Sequence, residues 1–281
     1  MKEMQMVNVG CGRHFHRDWV NLDLVSGVPG VIRHDLRRGL PFDEAACDVI
    51  YHSHLLEHLT DKNARSFLSD CFRVLKPGGI LRVVVPDLEG IVRAYLATLK
   101  QAEETNDLNN LHWMRVELID QMVRNRSGGA MREFVSSDHL SNKGFVESRV
   151  GYELFSKRSG SPNRKTLWDR LCQLPQKMNK LRRLVAFTLV ATVDGKRGYH
   201  ALREGYFRQS GEVHRWMYDR VTLCHLLTGV GFCQAQACTA TTSQIPSFNR
   251  YELDAVGEQI RKPDSLFVEA VKPTIAGSQA A

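Results

Sequence analysis

A chain of 281 residues is long enough to bury one large core, or a core with an insertion, and its 43% hydrophobic and 25% charged content is that of an ordinary globular protein. No apolar run reaches the roughly 20 residues that cross a bilayer, the opening "MKEMQMVNVG" lacks a signal peptide's apolar stretch and cleavage site, and seven scattered cysteines without a Cys-x-x-Cys pair suggest neither a zinc site nor a disulfide framework. The net charge of +7 is uneven: residues 140–215 hold sixteen Lys/Arg against six Asp/Glu, which is either a solvated basic face or a surface for an anionic partner such as a phosphorylated acceptor, nucleic acid or an acidic membrane face.

In chain order, "MVNVG" is apolar and β-branched and stops at glycine, and "VNLDL", "GVIRHDL" and "CDVIYHSHL" follow as further short strands. "NARSFLSDCFRVL" places Phe67, Leu68, Cys71, Phe72 and Leu75 on one helical face, and Pro77-Gly78-Gly79 is expected to end that helix. "ILRVVVPD" is a near-continuous aliphatic run, as in a strand buried on both faces. Near the end, "DRVTLCHLLTGVGF" reads as an amphipathic helix, and "CQAQACTA" and "SLFVEAVKP" as strands. This alternation predicts an α/β fold with a mostly parallel sheet covered by helices. The expected organisation is a core of residues 1–87 and 211–273, a mostly helical basic insertion at 88–210, and a disordered tail at 274–281.

Gly10 and Gly12 sit where the first strand turns, and Asp23 ends the second. Glycine lets a ligand approach the backbone without a Cβ in the way, and in open α/β sheets ligands lie beyond the carboxyl ends of the strands. A carboxylate in the position of Asp23 meets a ribose. A dinucleotide would want a third glycine where "GCGRHFH" has Phe15, so the ligand expected is a nucleoside without phosphates.

These residues resemble the class I S-adenosylmethionine-dependent methyltransferases. "VNVGCG" is similar to their first motif, and "HDLRRGLPFDEAACDVIYHSHLLEHL" resembles the Asp…Leu-Pro-Phe…Asp-Val-Ile…Leu-Glu-His pattern of the small-molecule branch. "RVLKPGGILRVVVPD" is similar to the segment entering the fifth strand. "GEVHRWMYD" and "RKPDSLFVEAVKP" look like a subgroup of predicted methyltransferases linked to surface-glycan biosynthesis. The resemblance implies a Rossmann-like sheet whose last strand is antiparallel, with S-adenosyl-L-methionine as cofactor. It further implies that Gly10, Cys11 and Gly12 flank the cofactor's amino-acid part and Asp23 its ribose. Asp35 and Leu36 would meet the adenine, and His54 and Leu55 would line the site at the fourth strand.

Two departures stand out. Only seven residues separate Gly12 from "VNLDL", and only "VSGVP" separates it from "GVIRHDL", whereas parallel strands normally need about a dozen residues of crossover. The early helices must be shortened to a turn or to extended chain, and the insertion is expected to fold over the opened site as a lid.

Methyl transfer from a sulfonium is an in-line displacement governed by alignment; it requires no metal, and it needs a base only if the acceptor loses a proton. Candidate catalytic residues are His58, His214 and Asp219, with Asp87 as a further base. Each has a structural alternative, Asp219 as a helix N-cap above all. His14 and His16 match no metal motif. The function expected is methylation of a small-molecule or glycan-linked acceptor in the cytoplasm, the basic insertion adding a peripheral contact with the inner membrane face. The alternatives are a nucleic-acid methyltransferase, against which "SHLLEH" lacks the Asp/Asn-Pro-Pro-Tyr/Phe pattern of base-amine enzymes, and a non-catalytic cofactor- or partner-binding homologue, against which the intact Gly10, Gly12 and Asp23 set speaks.

Overall fold

A computed structural model describes residues 4–24, 28–137, 140–152, 155 and 174–274. The expectations for the basic stretch "RSGSPNRK" and for the tail beyond residue 274 lie outside the described residues.

Seven strands form one sheet in the order β3-β2-β1-β4-β5-β9-β6. They are β1 (Met6–Val9), β2 (Val20–Asp23), β3 (Val31–Arg33), β4 (Cys47–Ser53), β5 (Leu75–Pro86), β6 (Cys233–Cys238) and β9 (Ser265–Val271). The first five run parallel, and β9 enters antiparallel between β5 and β6. This is the mostly parallel Rossmann-like sheet with an antiparallel last strand anticipated from the sequence. Strand order reverses between β1 and β4, which places a ligand crevice at the carboxyl ends of those two strands.

The sheet has two faces, and each strand alternates between them. On one, Val7, Val9, Ile50, Leu81, Val83, Val85 and Val268 pack under α1 (Asp61–Val74) and the later helix Arg220–Val230. Thr60 caps α1, accepting from Asn63 N, and the helix buries Ala64, Phe67, Leu68, Cys71 and Val74. It ends at Val74, three residues before Pro77. Leu75 is already extended and opens β5, so Pro-Gly-Gly is not the helix stop expected; it lies within the strand, beside an irregularity in the β4–β5 register. A Cβ on Gly79 would come within 2.8 Å of the Lys76 carbonyl, which accounts for glycine there.

The other face carries Met6, Val49, Tyr51, Val84 and Phe267, and among the described residues no α-helix packs on it. The β1–β2 connection holds only turns, and its Trp19 joins this second core. The cover is supplied by residues 239–261, which contribute Ala240, Ile245, Phe248, Tyr251, Leu253 and Ala255 and a small hairpin of β7 (Ala255–Val256) with β8 (Gln259–Ile260). Arg82, fully buried in the middle of β5, fastens this segment. It pairs with Asp254 and Glu269 at 2.7 Å each and donates to the carbonyls of Thr239, Ala240 and Thr242. Its guanidinium lies 4.5 Å from the centroid of the Phe248 ring.

Between β5 and the sheet's last elements come α2 (Leu88–Thr105), α3 (Asn109–Val123), α4 (Gly129–Val135) and α5 (Lys143–Val150). They have a core of their own, built from Ile91, Trp113, Met114, Met131 and Val146. Glu117 is buried in it and takes hydrogen bonds from Trp113 Nε1 (2.7 Å) and Arg149 Nη2 (2.6 Å). Helix α6 (Leu174–Arg208) is broken at Gly195, whose φ of 58° is left-handed, and Phe187 packs against Tyr199 and Tyr206 across the break. Helix α7 (Arg220–Val230) then returns the chain to the sheet. Among the described residues no helix is long and apolar enough to cross a membrane.

Arg82→Ala is expected to destabilise the protein by about 3–5 kcal/mol, because it removes the counter-charge of two buried carboxylates. Urea unfolding followed by circular dichroism measures this, and a loss under 1 kcal/mol would show that the segment is held by its apolar contacts alone.

Candidate active site

The turn after β1 is built by backbone and one carboxylate. Gly10 N and Cys11 N both donate to the Leu22 carbonyl, at 2.8 and 3.2 Å, and Gly12 N donates to Asp23 Oδ2 at 2.8 Å. Gly10 and Gly12 have φ of +69° and +57°, a region that L side chains rarely occupy. A Cβ on Gly10 would press on Leu55 at 3.2 Å, whereas nothing lies within 4 Å of the corresponding point over Gly12. The loop is thus closed towards β4 and open above Gly12, with the Asp23 carboxylate at its rim: a cradle that fits a nucleoside with an amino-acid arm. The Cys11 thiol is pushed up to about 11 by burial and by the charge of Asp23, so it is a neutral lining group and not a nucleophile.

Asp35 caps the short 3-10 turn Leu36–Arg38, accepting from Arg37 N, and its carboxylate pairs with the Arg37 guanidinium at 2.6 Å. That hydrogen bond holds its pKa down to about 2. The group expected to meet an adenine amino group is therefore already engaged by its neighbour, and Leu36 packs on the edge of the main core.

At the end of β4 the chain is strained. His54 has a φ of +52°, a non-glycine residue in the left-handed region, and such outliers concentrate at functional sites. Its Nε2 is 2.9 Å from Ser265 Oγ and its Nδ1 3.2 Å from Glu57 Oε1, so the ring turns towards β9, while Leu55 packs over Gly10 of the glycine loop. Glu57 is fully buried. Its carbonyl accepts from Arg215 N (2.6 Å) and Trp216 N (3.2 Å), which draws the "GEVHRWMYD" segment onto the end of β4. This brings His214 to His58: the rings meet edge-on with centroids 4.7 Å apart. His58 Nε2 lies 4.0 Å from Glu57 Oε1, and His214 N donates to the Gln121 carbonyl of α3 at 3.0 Å. Burial opposes ionisation of Glu57, yet His54, with His58 and His214 behind it, brings its pKa down to about 2. Burial lowers His54 to about 4 and His214 to about 3.

The remaining candidates separate from this cluster. Asp219 is the N-cap of α7, accepting from Val221 N and Thr222 N at 2.8 Å and from Thr222 Oγ1 at 2.9 Å. Those bonds depress its pKa, the Thr222 amide first. Asp87 sits at the N-cap position of α2, half-buried and raised by that burial. His14 and His16 brace the covering segment, His14 Nε2 lying 2.9 Å from the Glu252 carbonyl and His16 packing edge-on to Tyr251. Glu57 was not singled out from sequence. Its place among Leu55, Leu56 and Leu59 is the only local signal, and it does not by itself distinguish a buried carboxylate from an exposed one.

Residues 13–83, about a quarter of the chain, match the family described as a methyltransferase domain. A probable S-adenosylmethionine-dependent methyltransferase of Mycolicibacterium smegmatis is 43% identical over 56 residues, 20% of this chain and 21% of the relative, so the chain spans about a fifth of that relative's length. Among solved structures, a SAM-dependent methyltransferase from Archaeoglobus fulgidus is 11% identical, with 96% of this chain and 87% of that one covered at a TM-score of 0.38. An S-adenosylmethionine-dependent methyltransferase from Mesorhizobium loti is 19% identical, with 34% and 52% covered at a TM-score of 0.24.

Asp219→Ala is expected to cost about 1 kcal/mol through loss of the cap, and Asp219→Asn to restore both stability and turnover; an Asn variant that is folded but inactive would reassign Asp219 to the chemistry. A second test uses Asp264, buried beside β9 with its pKa raised to about 7 by burial and then by Glu117. Unfolded, it titrates near about 3.9. Its native pKa is the higher of the two, so the native state binds the extra proton between those values. Stability falls as pH rises from about 4 to 7. Asp264→Asn should therefore raise the melting temperature at pH 8 and much less at pH 4, by up to about 2–4 kcal/mol at the upper end. Equal shifts at both pH values would show that the carboxyl is not buried.

Proposed function

We propose that the protein is an S-adenosylmethionine-dependent methyltransferase acting on a small-molecule or glycan-linked acceptor. The observation that carries this reading is the turn after β1, where an open, positive-φ Gly12 is tied through its amide to the carboxylate ending β2, at the point where strand order reverses. The match of residues 13–83 to a methyltransferase domain supports it.

The cofactor, when bound, supplies an electrophilic methyl group on sulfonium sulfur. Gly10, Cys11 and Gly12 present backbone to its amino-acid arm, and Asp23 orders that loop and accepts from the ribose. Leu55 walls the site towards β4. Beyond it, His58 and His214 face one another beside Glu57 on the acceptor side, three side chains placed to orient an acceptor group. The 212–217 segment meets the helical insertion at Gln121, and Gly128 N and Arg124 both bind Glu212, so the insertion borders the acceptor side as a lid would. An anionic or membrane-associated acceptor suits α6, which leaves Leu181, Leu184, Val185 and Leu189 exposed beside Arg182 and Arg183 while Phe187 turns inward.

Asp23→Ala is expected to weaken binding of the demethylated cofactor by about 1.5–3 kcal/mol, the scale of a hydrogen bond to a charged group, read by calorimetry. Unchanged affinity would remove Asp23 from the sugar. Transfer of labelled methyl into fractionated extract then identifies the acceptor, and a tRNA or duplex DNA complex with a steep salt dependence would instead favour nucleic acid.

A further inference from the structure

The cluster at the end of β4 contains more than a base and its partner require. Glu57 is fully buried, and among the described residues its carboxylate is met only by imidazoles: His54 Nδ1 lies 3.2 Å from Oε1, and Oε2 has no hydrogen-bond partner. His214 is 4% exposed, and its Nδ1 has no hydrogen-bond partner among the described residues. Buried polar atoms are almost always satisfied, and a carboxylate with so few donors is among the costliest exceptions. Here two such groups converge. One ligand atom each from Glu57, His58 and His214 lies within 4.8 Å of the others.

We propose that Glu57, His58 and His214 form a binding site for a divalent first-row transition cation, with Zn2+ the best fit. Two imidazole nitrogens and one carboxylate oxygen are a donor set of borderline softness, matched to Zn2+ and its neighbours and poorly to Ca2+ or Mg2+. Bonds of about 2.0–2.2 Å bring ligand atoms to roughly 3–3.5 Å of one another, a contraction that rotation of the His58 ring supplies. His58 is the ligand free to make it, because its side chain is 23% exposed whereas that of Glu57 is fully enclosed. The supporting residues are those of a built site. His54 contacts Glu57 through one nitrogen and Ser265 through the other, and the Glu57 carbonyl holds the 215–216 amides that carry His214. Outer contacts of this kind orient metal ligands. Three protein ligands leave a position open, as in catalytic rather than structural zinc sites. Here the opening lies on the His58 side, towards the acceptor. The consequence for the acceptor, an oxygen held and acidified there, rests on the methyltransferase reading; the binding of the cation does not.

The test uses the full chain after treatment with a chelator, titrated with Zn2+ by calorimetry and with Co2+ by visible absorption. The wild type should bind one equivalent saturably and give the ligand-field bands of Co2+ held by nitrogen and oxygen donors. His58→Ala and His214→Ala should each weaken binding at least tenfold and abolish those bands, whereas His200→Ala, on the exposed face of α6, should not. His58→Gln gives the same reading if the alanine variant does not fold, as judged by circular dichroism. Absence of one-equivalent saturable binding in the wild type, or wild-type binding by folded His58 variants, overturns the site. Asp23→Ala separates the two readings: it should weaken binding of the nucleoside and leave that of the cation unchanged, so each can fail without the other.

Discussion

The fold depends on Arg82. A seven-stranded sheet has two apolar faces to cover, and its early crossovers are too short to lay helices over one of them. That face is closed by residues 239–261, a stretch with little regular structure that would not stay on a sheet by its own propensity. Arg82 rises from the centre of β5 into this stretch and meets Asp254, Glu269 and three backbone carbonyls. A buried charge of this kind is not a cheap source of stability. It does impose one register, because a shift of the loop by one residue would leave the guanidinium facing the wrong carbonyls.

The same segment reaches the cofactor cradle. Tyr251 packs on Trp19 and His16, and the Glu252 carbonyl lies against His14, so the compact β1–β2 connection rests on it. A longer connection would carry a helix whose first turn organises the glycine loop. In its absence the ordering falls to Asp23, whose carboxylate holds the Gly12 amide directly. The acid that ends β2 thereby shapes the loop, and in the proposed reading it also faces the sugar, which accounts for how short the stretch from Gly10 to Asp23 can be.

This division explains what the sequence disclosed. Strands such as "MVNVG" and "ILRVVVPD", and the helix from Asp61, were legible because their burial follows a period of two or 3.6 residues. Gly10, Gly12 and Asp23 were legible because each serves a backbone need at a fixed place in the chain. Pro77-Gly78-Gly79 misled, since the residues that stop a helix also suit an irregular strand entry. Arg82 was invisible inside an aliphatic run: its partners lie more than 150 residues away and no local pattern announces them. Glu57 was hidden similarly, its meaning fixed by His214 and by the 215–216 amides, which only tertiary folding brings to it.

Glu57 links the chemistry to the insertion. Its side chain faces His54, His58 and His214; its carbonyl holds the amides of Arg215 and Trp216; and the amide of His214 reaches the Gln121 carbonyl on α3. The imidazole furthest along the chain is thus placed by two bodies at once, the end of β4 and the helical insertion. A movement of α3 against the sheet would draw His214 away from Glu57 before disturbing His58, which is anchored in β4's own turn. In the proposed methyltransferase reading, an acceptor that seats helices α2 to α5 would complete the cluster, and one that does not would leave His214 displaced. Selectivity can in this way reside in helices that never touch the reacting atoms.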